Sequence, residues 1–270
     1  RFNYSQNFIA DGYREILLPA DSNGDYQLDK SSLHIWPRGR FMLIGLPNED
    51  GSFTCTLFMP FEGEKNAFDN LDSKEKVNDF FKTTFPDFYD MIPNIADAWG
   101  DHPLSSLAIM RCKPWAIGKT ALMGDSAHAT VPFYGQGMNS GFEDCTVLFE
   151  LMNKHNENWD LVFEEYNETR KADGDALQDL SAHNYHVMRD YVADPEFLLQ
   201  KKIEGHFSEN HPEKWMPLYS QVSFSNIPYS EAWQVGKKQD AIMKKVMASF
   251  SNIEDVWDSK EVEDKILSLI

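Results

Sequence analysis

The chain has 270 residues, 42% of them hydrophobic, which is enough apolar material for one large domain or two and for a true core. Its 43 acidic against 25 basic residues leave a formal net charge of -18, spread without a dominant block of one sign. This argues against binding a phosphate backbone, which needs clustered lysines and arginines to displace counterions. The three cysteines, Cys55, Cys112 and Cys145, are odd in number and far apart, so they fit neither a disulfide framework nor a metal cluster and point to a reducing compartment.

The opening stretch, RFNYSQNFIADG, lacks the apolar core of a signal peptide. Across residues 13–61, four strand-like runs, REILLP, LHIWP, FMLIGLP and FTCTLFMPF, are separated by turn-forming residues, which predicts antiparallel strands joined by tight turns. Alternation in the last run puts Phe53, Cys55, Leu57 and Met59 on one face and Thr54, Thr56, Phe58 and Pro60 on the other, so Phe58 interrupts a polar face. The same alternation groups Met42, Ile44 and Leu46. On pattern alone these side chains are ordinary core. Residues 62–101 turn polar, with Val77, Phe80, Phe81 and Phe85 at helical spacing and Pro86 and Pro93 as punctuation, which predicts amphipathic helices covering the sheet. Residues 104–110 and 115–123 return to strand character.

The stretch ALMGDSAHATVPFYGQGMNSGFEDCTVLFELM, residues 121–152, organises the rest. It divides into an apolar run, a Gly124-Asp125 break, a polar loop ending at Pro132, and an entry flanked by Gly135 and Gly137 into a helix. That order reads as strand, loop, helix. Open α/β sheets place ligands at the carboxyl ends of strands, and a helix begins with free N–H groups and a partial positive charge. An anion or an electron-rich ring edge is therefore expected near residues 135–139. Asp125 is an acceptor-only carboxylate suited to a ligand hydroxyl, or else a turn or helix-capping aspartate. Gly135 and Gly137 put no Cβ between backbone and ligand.

Residues 159–191 read as a long helix, with Leu161, Phe163, Tyr166, Leu177 and Leu180 in its pattern and Asn184 and Met188 sharing a face at i, i+4. The remainder is mostly helical, with breaks at Pro195, Pro212, Pro217 and Pro228. No apolar run approaches the roughly 20 residues that span a bilayer.

Several of these segments carry a family likeness. Gly124-Asp125-Ser126-Ala127-His128, then Pro132-Phe133-Tyr134-Gly135-Gln136-Gly137-Met138-Asn139 and Gly141-Phe142-Glu143-Asp144, resemble the second flavin-binding motif of the single-component FAD-dependent aromatic hydroxylases. The likeness extends to Leu33-His34-Ile35-Trp36-Pro37-Arg38, Phe41-Met42-Leu43-Ile44, residues 52–61, Asn184-Tyr185 and Pro217-Leu218-Tyr219, and so spans most of the chain. It implies an α+β fold: an antiparallel sheet domain for substrate over residues 1–105, part of the FAD domain over 106–155, and C-terminal helices over 156–270. It also implies reduction of FAD by NADPH and transfer of oxygen to an aromatic ring. The cofactor does the difficult step in such chemistry, and no side chain is assigned as catalytic.

By resemblance, Asp125 contacts the ribityl chain, and Gln136, Gly137, Met138 and Asn139 offer backbone N–H groups to the flavin pyrimidine edge, with Pro132 and Gly135 completing the contact. Phe133 and Tyr134, with Pro132, would wall flavin from substrate. Leu33, Ile35, Met42, Ile44, Leu46 and Phe58 match the apolar lining of the substrate pocket. Asn184, Met188 and Tyr219 complete it, Tyr219 having the apolar body and polar tip that suit an aryl amino acid. His128 has no assigned role, and Glu143 and Asp144 serve the helix dipole or bonds to the loop rather than acting as a catalytic pair.

The chain departs from the pattern at Val187, where relatives often carry glutamate, and at Tyr134, where they have Phe or His, so fine specificity differs more than reaction class. A salicylate or hydroxybenzoate type of hydroxylase is the alternative within the family. No G-x-G-x-x-G follows a strand, because Gly135-Gln136-Gly137 continues as Met-Asn-Ser-Gly. The resemblance therefore implies a partner region that holds the FAD pyrophosphate and is missing from this sequence, as are the residues that clamp an amino-acid carboxylate. Mitochondrial members carry a C-terminal membrane anchor, whereas SNIEDVWDSKEVEDKILSLI is too charged for one, which implies a soluble, cytoplasmic, bacterial-type protein. A rival from another class takes Gly124-Asp125-Ser126 as a serine-hydrolase motif, with Ser126 attacking and a histidine as base. Its Asp-x-x-His partner would have to be Asp125 to His128, overlapping the nucleophile itself.

Overall fold

Four strands in sequence, β1 (Asn3–Leu18), β2 (His34–Pro37), β3 (Met42–Pro47) and β4 (Phe53–Pro60), build most of a five-stranded sheet in a computed structural model that describes residues 2–270. Three short helices follow, α1 (Lys74–Thr84), α2 (Pro86–Met91) and α3 (Ile95–Ala98), and then β5 (Ser105–Lys113). The sheet order is β2-β3-β4-β1-β5, with β2–β3, β3–β4 and β1–β4 antiparallel. A two-stranded hairpin, β6 (Ala116–Ile117) and β7 (Thr120–Ala121), leads into eight helices: α4 (Asp125–His128), α5 (Gly137–Lys154), α6 (Trp159–Arg189), α7 (Pro195–Asn210), α8 (Leu218–Ser223), α9 (Tyr229–Ala248), α10 (Ile253–Val256) and α11 (Lys260–Leu267).

The chain divides into two compact units. A sheet unit holds Phe8–Leu107 and His186–Ala193; a helical unit holds the N-terminal residues to Asn7, with Ala108–Tyr185 and Asp194–Ile270.

In the sheet unit the register decides which residues are core. Leu43 pairs with Leu57, Cys55 with Ile16, and Phe53 with Leu18, and this face is sealed by Val77, Phe80, Phe81, Phe85, Phe88 and Ile95 from the three helices. Period-two alternation then sends Met42, Ile44 and Leu46, with Ile35 opposite Ile44 and Phe58 opposite Met42, to the other face. Helix α1 starts where Ser73 accepts the backbone N–H of Lys76, and α2 carries Pro86 in its first turn, where a missing N–H costs nothing.

Strand β1 begins ten residues before the region that reads as strand in the sequence. Its residues from Asn3 to Phe8 are exposed, so no apolar alternation marks them. Asp11 on this strand is buried and accepts Arg189 Nη1 at 2.7 Å, both in the sheet unit.

Apolar clusters among the described residues pack the helical unit. Cys112, Trp115, Ala127, Leu151, Val162 and Tyr166 join the β5 end and α4 to α5 and α6; Tyr134, Leu177, Leu180, Val222, Tyr229 and Ala232 join the following loop to α6, α8 and α9. Ile203, Phe207, Trp215, Met243, Val246, Val262 and Ile266 join α7, α9 and α11. Three of the four prolines taken as breaks mark helix starts: Pro195 is the first residue of α7, after an Asp194 cap that accepts Glu196 N and Phe197 N, and Pro217 and Pro228 precede α8 and α9, while Pro212 lies in the turn after α7. The expected division at residue 155 corresponds to no boundary here, because residues on both sides share the first two clusters. Residues 115–123, expected as one strand, hold only the two-residue strands of the hairpin, turned at Gly118 with φ of 59°, so the Gly124-Asp125 break follows a hairpin rather than a long sheet strand. Among the described residues no helix is long and apolar enough to cross a membrane.

Candidate active site

The cofactor residues expected from the sequence lie in one continuous path in the helical unit. Gly124 adopts φ 54° and ψ -141°, a conformation open to glycine and strained for any other residue, and its carbonyl accepts the N–H groups of Ala127 at 2.8 Å and His128 at 2.9 Å. Those two bonds make α4, a single turn that leaves the Asp125 side chain exposed. Pro132, exposed, opens a 3-10 turn over residues 132–134 that ends at Gly135, left-handed with φ 67° and its N–H on Pro132 C=O.

Helix α5 then begins at Gly137 with no side-chain cap on its N–H groups, while Met138 and Asn139 stand exposed at its mouth. The first turn of a helix has no intrahelical acceptors for its N–H groups, so this mouth offers donors and a partial positive charge. Gln136 lies across it, its Oε1 accepting Asn139 Nδ2 at 2.9 Å and the Tyr229 hydroxyl at 3.4 Å.

The backbone along this path is open to an approaching group. A Cβ built on Gly124 or Gly135 would meet nothing within 4 Å, and one on Gly137 would meet only Thr130 Cγ2, at 3.8 Å. An exposed acceptor carboxylate, the N–H donors of an uncapped helix mouth and three open glycines suit a hydroxylated chain followed by a ring edge. This is what the ribityl and pyrimidine parts of FAD present.

Behind the path lies a buried polar cluster. Asp144 is fully buried; its Oδ2 accepts Gly124 N at 2.9 Å and lies 2.7 Å from His128 Nε2, and its Oδ1 accepts Arg170 Nε at 2.9 Å. Arg170 also reaches Ser140 C=O and Oγ, both at 3.3 Å, and pairs with Glu143 at 3.1 Å and Asp173 at 3.6 Å. Asp173 in turn accepts the N–H and hydroxyl of Ser230 at the start of α9. Burial by itself would raise the Asp144 carboxyl, but hydrogen bonds from His128 and Gly124 and the charges of His128 and Arg170 hold it below the ordinary carboxylate value. Burial likewise works against the Arg170 charge and is outweighed by Glu143, Asp144 and Asp173, so its pKa is raised. Asp144 thus makes the loop bonds that its place in the motif allowed. Arg170 and Asp173 were missed, although Arg170 continues the stripe of Val162 and Tyr166 at helical spacing and so marks a charge on a buried face.

Aromatic residues flank the turn. Phe133 is buried and stacks on Tyr185 at 4.5 Å between centroids, and its carbonyl accepts Asn184 Nδ2 at 2.7 Å. Tyr134, buried, stacks on the half-exposed Tyr219 at 5.6 Å, and burial, reinforced by Tyr219, raises its hydroxyl pKa. Asn184 and Tyr219, far apart in sequence, are both drawn to this turn. Tyr219 sits in the first turn of α8 rather than in an open turn.

The other expected substrate residues belong to the sheet unit. Ile35, Met42, Ile44, Leu46 and Phe58 share the face away from the helices, with Leu46 exposed, Ile35 and Ile44 half-buried, and Met42 and Phe58 buried, while Leu33 stands exposed just before β2. Met188, also buried, lies in the last turn of α6 within that unit.

The hydrolase alternative finds no support. His128 is only 2% exposed, its Nε2 is taken by Asp144, its Nδ1 is buried without a partner, and Ser126 is exposed, so no pair of nucleophile and base exists here.

Residues 94–181 match the family model described as an FAD binding domain. In solved structures, 2-methyl-3-hydroxypyridine-5-carboxylic acid oxygenase shares the fold with a TM-score of 0.56 at 18% identity, over 70% of this chain and 50% of that one. A 2,6-dihydroxypyridine-3-hydroxylase from Arthrobacter nicotinovorans shares it with a TM-score of 0.52 at 13% identity, over 68% and 53%. The chain thus carries part of an FAD binding domain and shares the fold of FAD-dependent aromatic hydroxylases. It is 52% identical over 270 residues to a protein named kynurenine 3-monooxygenase from Flavobacterium psychrophilum, and 53% identical over 270 residues to one of the same name from Flavobacterium johnsoniae. Each match takes in all of this chain and 60% of the relative, so the chain spans about 60% of the length of the proteins it matches.

Proposed function

We propose that the protein of which this chain is part hydroxylates L-kynurenine to 3-hydroxykynurenine, using FAD, NADPH and O₂, within tryptophan breakdown. Support for the reaction class comes from one observation above others: an uncapped helix mouth and an exposed carboxylate on a path lined by glycines that leave open space. Support for the substrate comes from the 51% to 53% identity to three proteins named kynurenine 3-monooxygenase. FAD, when bound, supplies the electron transfer and oxygen activation.

The chain's own residues orient and dehydrate. Asp125 accepts a ribityl hydroxyl, and Gly135 with the backbone N–H groups of Gln136, Gly137, Met138 and Asn139 receives the pyrimidine edge, where reduction leaves negative charge that helix-end donors stabilise. Pro132, Phe133 and Tyr134 form a wall that keeps water from the reacting ring. In the helical unit, Asn184 and Tyr219 beside the 132–134 turn contact the substrate. In the sheet unit, the apolar face that carries Ile35, Met42, Ile44, Leu46 and Phe58 suits an aryl group.

The relatives are longer, and a further segment of the same protein is the expected partner. Met138, Phe142 and Phe149 support this reading: they are 72%, 63% and 62% exposed along one side of α5, an apolar stripe of the kind that is normally covered. Free Cys55, Cys112 and Cys145 support a reducing, cytoplasmic setting.

The full-length protein tests the assignment. Kynurenine should accelerate flavin reduction by NADPH and yield a 3-hydroxy product, and failure of both would rule the substrate out. Asn184→Leu and Tyr219→Phe should raise the KM for kynurenine. Unchanged KM in both would remove them from the site.

A further inference from the structure

Asp125 is exposed on a helix of one turn, and one turn has no stability of its own, because nucleation fixes several dihedrals for a single bond. The turn is nevertheless held at both ends by one atom. Asp144 Oδ2 accepts the Gly124 N–H, which opens the turn, at 2.9 Å, and contacts Nε2 of His128, which closes it, at 2.7 Å. The other oxygen, Oδ1, is fixed by Arg170 Nε at 2.9 Å, and Arg170 is itself anchored to Ser140 in the first turn of α5.

A fully buried carboxylate and guanidinium give little net stability compared with apolar side chains of the same volume, because desolvation offsets most of their attraction. Their directional bonds instead fix a geometry. Gly124 needs such fixing: its φ of 54° is one of many states open to a glycine.

We propose that Asp144 is a positioning residue for FAD binding: it clamps both ends of the α4 turn, with Arg170 and His128 as its supports, and so sets the Asp125 carboxylate for the ribityl hydroxyl. Asp144 touches no ligand itself, since it is buried behind the loop. The inference rests on the reading of Asp125 given above, and the two can fail separately.

The experiment titrates FAD into the folded full-length apo-protein, followed by flavin fluorescence, for wild type, Asp125→Ala, Asp144→Asn and the double variant. Asp125→Ala should weaken FAD about tenfold or more, and Asp144→Asn by about the same factor, as expected for a bond to a charged group. The double variant should bind no more than about twofold more weakly than Asp125→Ala alone, since Asp144 acts through a side chain already removed. Wild-type affinity in Asp125→Ala overturns both the reading and the inference. A weakened Asp125→Ala beside a wild-type Asp144→Asn overturns the inference alone, and so does a double variant in which the two losses multiply. A purely structural role would lower the thermal midpoint without changing FAD affinity in the folded fraction. Should Asp144→Asn not fold, His128→Phe releases only the closing end of the turn, and the same loss of affinity and the same non-additivity with Asp125→Ala are expected.

Discussion

Gly174, in the middle of α6, offers the sharpest check on how tightly the back of the site is packed. A Cβ there would stand 2.5 Å from Trp115 Cη2, 2.9 Å from Trp115 Cζ2 and 3.3 Å from His128 Cβ. Comfortable carbon contacts need about 3.5–4.0 Å, so the overlap is about 1 Å. The indole has no room to yield: it is 2% exposed, its N–H is bonded to Cys112 C=O at 3.0 Å, and its backbone N–H is held by Asn167 Oδ1 at 2.6 Å. Helix propensity favours alanine over glycine by about 1 kcal/mol, whereas forcing a methyl into a filled core costs about 1–3 kcal/mol. With both neighbours fixed, the upper end of that range applies, and Gly174→Ala should lose about 1–2 kcal/mol. A thermal midpoint falls by roughly 2–4 °C per kcal/mol in a unit of this size. Gly205 in α7 is the internal control: a Cβ there meets nothing within 4 Å, so Gly205→Ala should raise the midpoint, by about 0.5–1 kcal/mol of stability. Thermal melts of both variants in the full-length protein decide the matter. If Gly174→Ala is as stable as wild type, the packing of Trp115 against α6 is looser than these distances require.

Other consequences follow from charge and exposure. Because the native Asp144 carboxyl lies below its ordinary value, its stabilisation is complete above the unfolded value of about 3.9 and is lost as pH falls through the lower native value. Stability measured by tryptophan fluorescence should therefore drop less steeply with acid in Asp144→Asn than in wild type, and equal slopes would show that the carboxyl is not held down. The α5 stripe gives a different test. If a further segment covers Phe149, Phe149→Asp buries an unpaired charge and should lower the thermal midpoint of the full-length protein sharply, whereas an unchanged midpoint means that the segment docks elsewhere.

The parts of the fold that could be read in the sequence are those where burial is periodic. Phe53, Cys55, Leu57 and Met59 alternate because only one face of β4 meets the covering helices, and the structure puts them on that face. The first half of β1 carries no such signal, since it is exposed and its residues pair through backbone bonds that no side-chain pattern records. Residues 115–123 misled for the opposite reason. They are apolar enough for a strand, but Trp115 and Leu122 close a hairpin through a 2.7 Å backbone bond instead of entering a wider sheet. Nor does the division that the resemblance implies at residue 155 separate the packing, because Tyr166 and Leu151 lie in one cluster across it.

At the site, the line between legible and hidden follows sequence distance. The turns around Asp125, Gly135 and Gly137 could be read because the backbone shape they need is local, and glycines beside a carboxylate write that shape into a few adjacent letters. Arg170 is 26 positions beyond Asp144, and their bond depends on α5 and α6 lying side by side, which no local pattern states. A trace remains nevertheless. Val162, Tyr166 and Arg170 succeed one another at i, i+4, and an arginine on an otherwise buried stripe must find a carboxylate or the helix could not pack. Asp144 occupies the matching place on α5, following Ser140 by one turn, and both are buried. Charged residues that fall on the apolar stripes of two different helices are thus candidates for one another, and here that pairing leads to the atoms that hold the α4 turn in place.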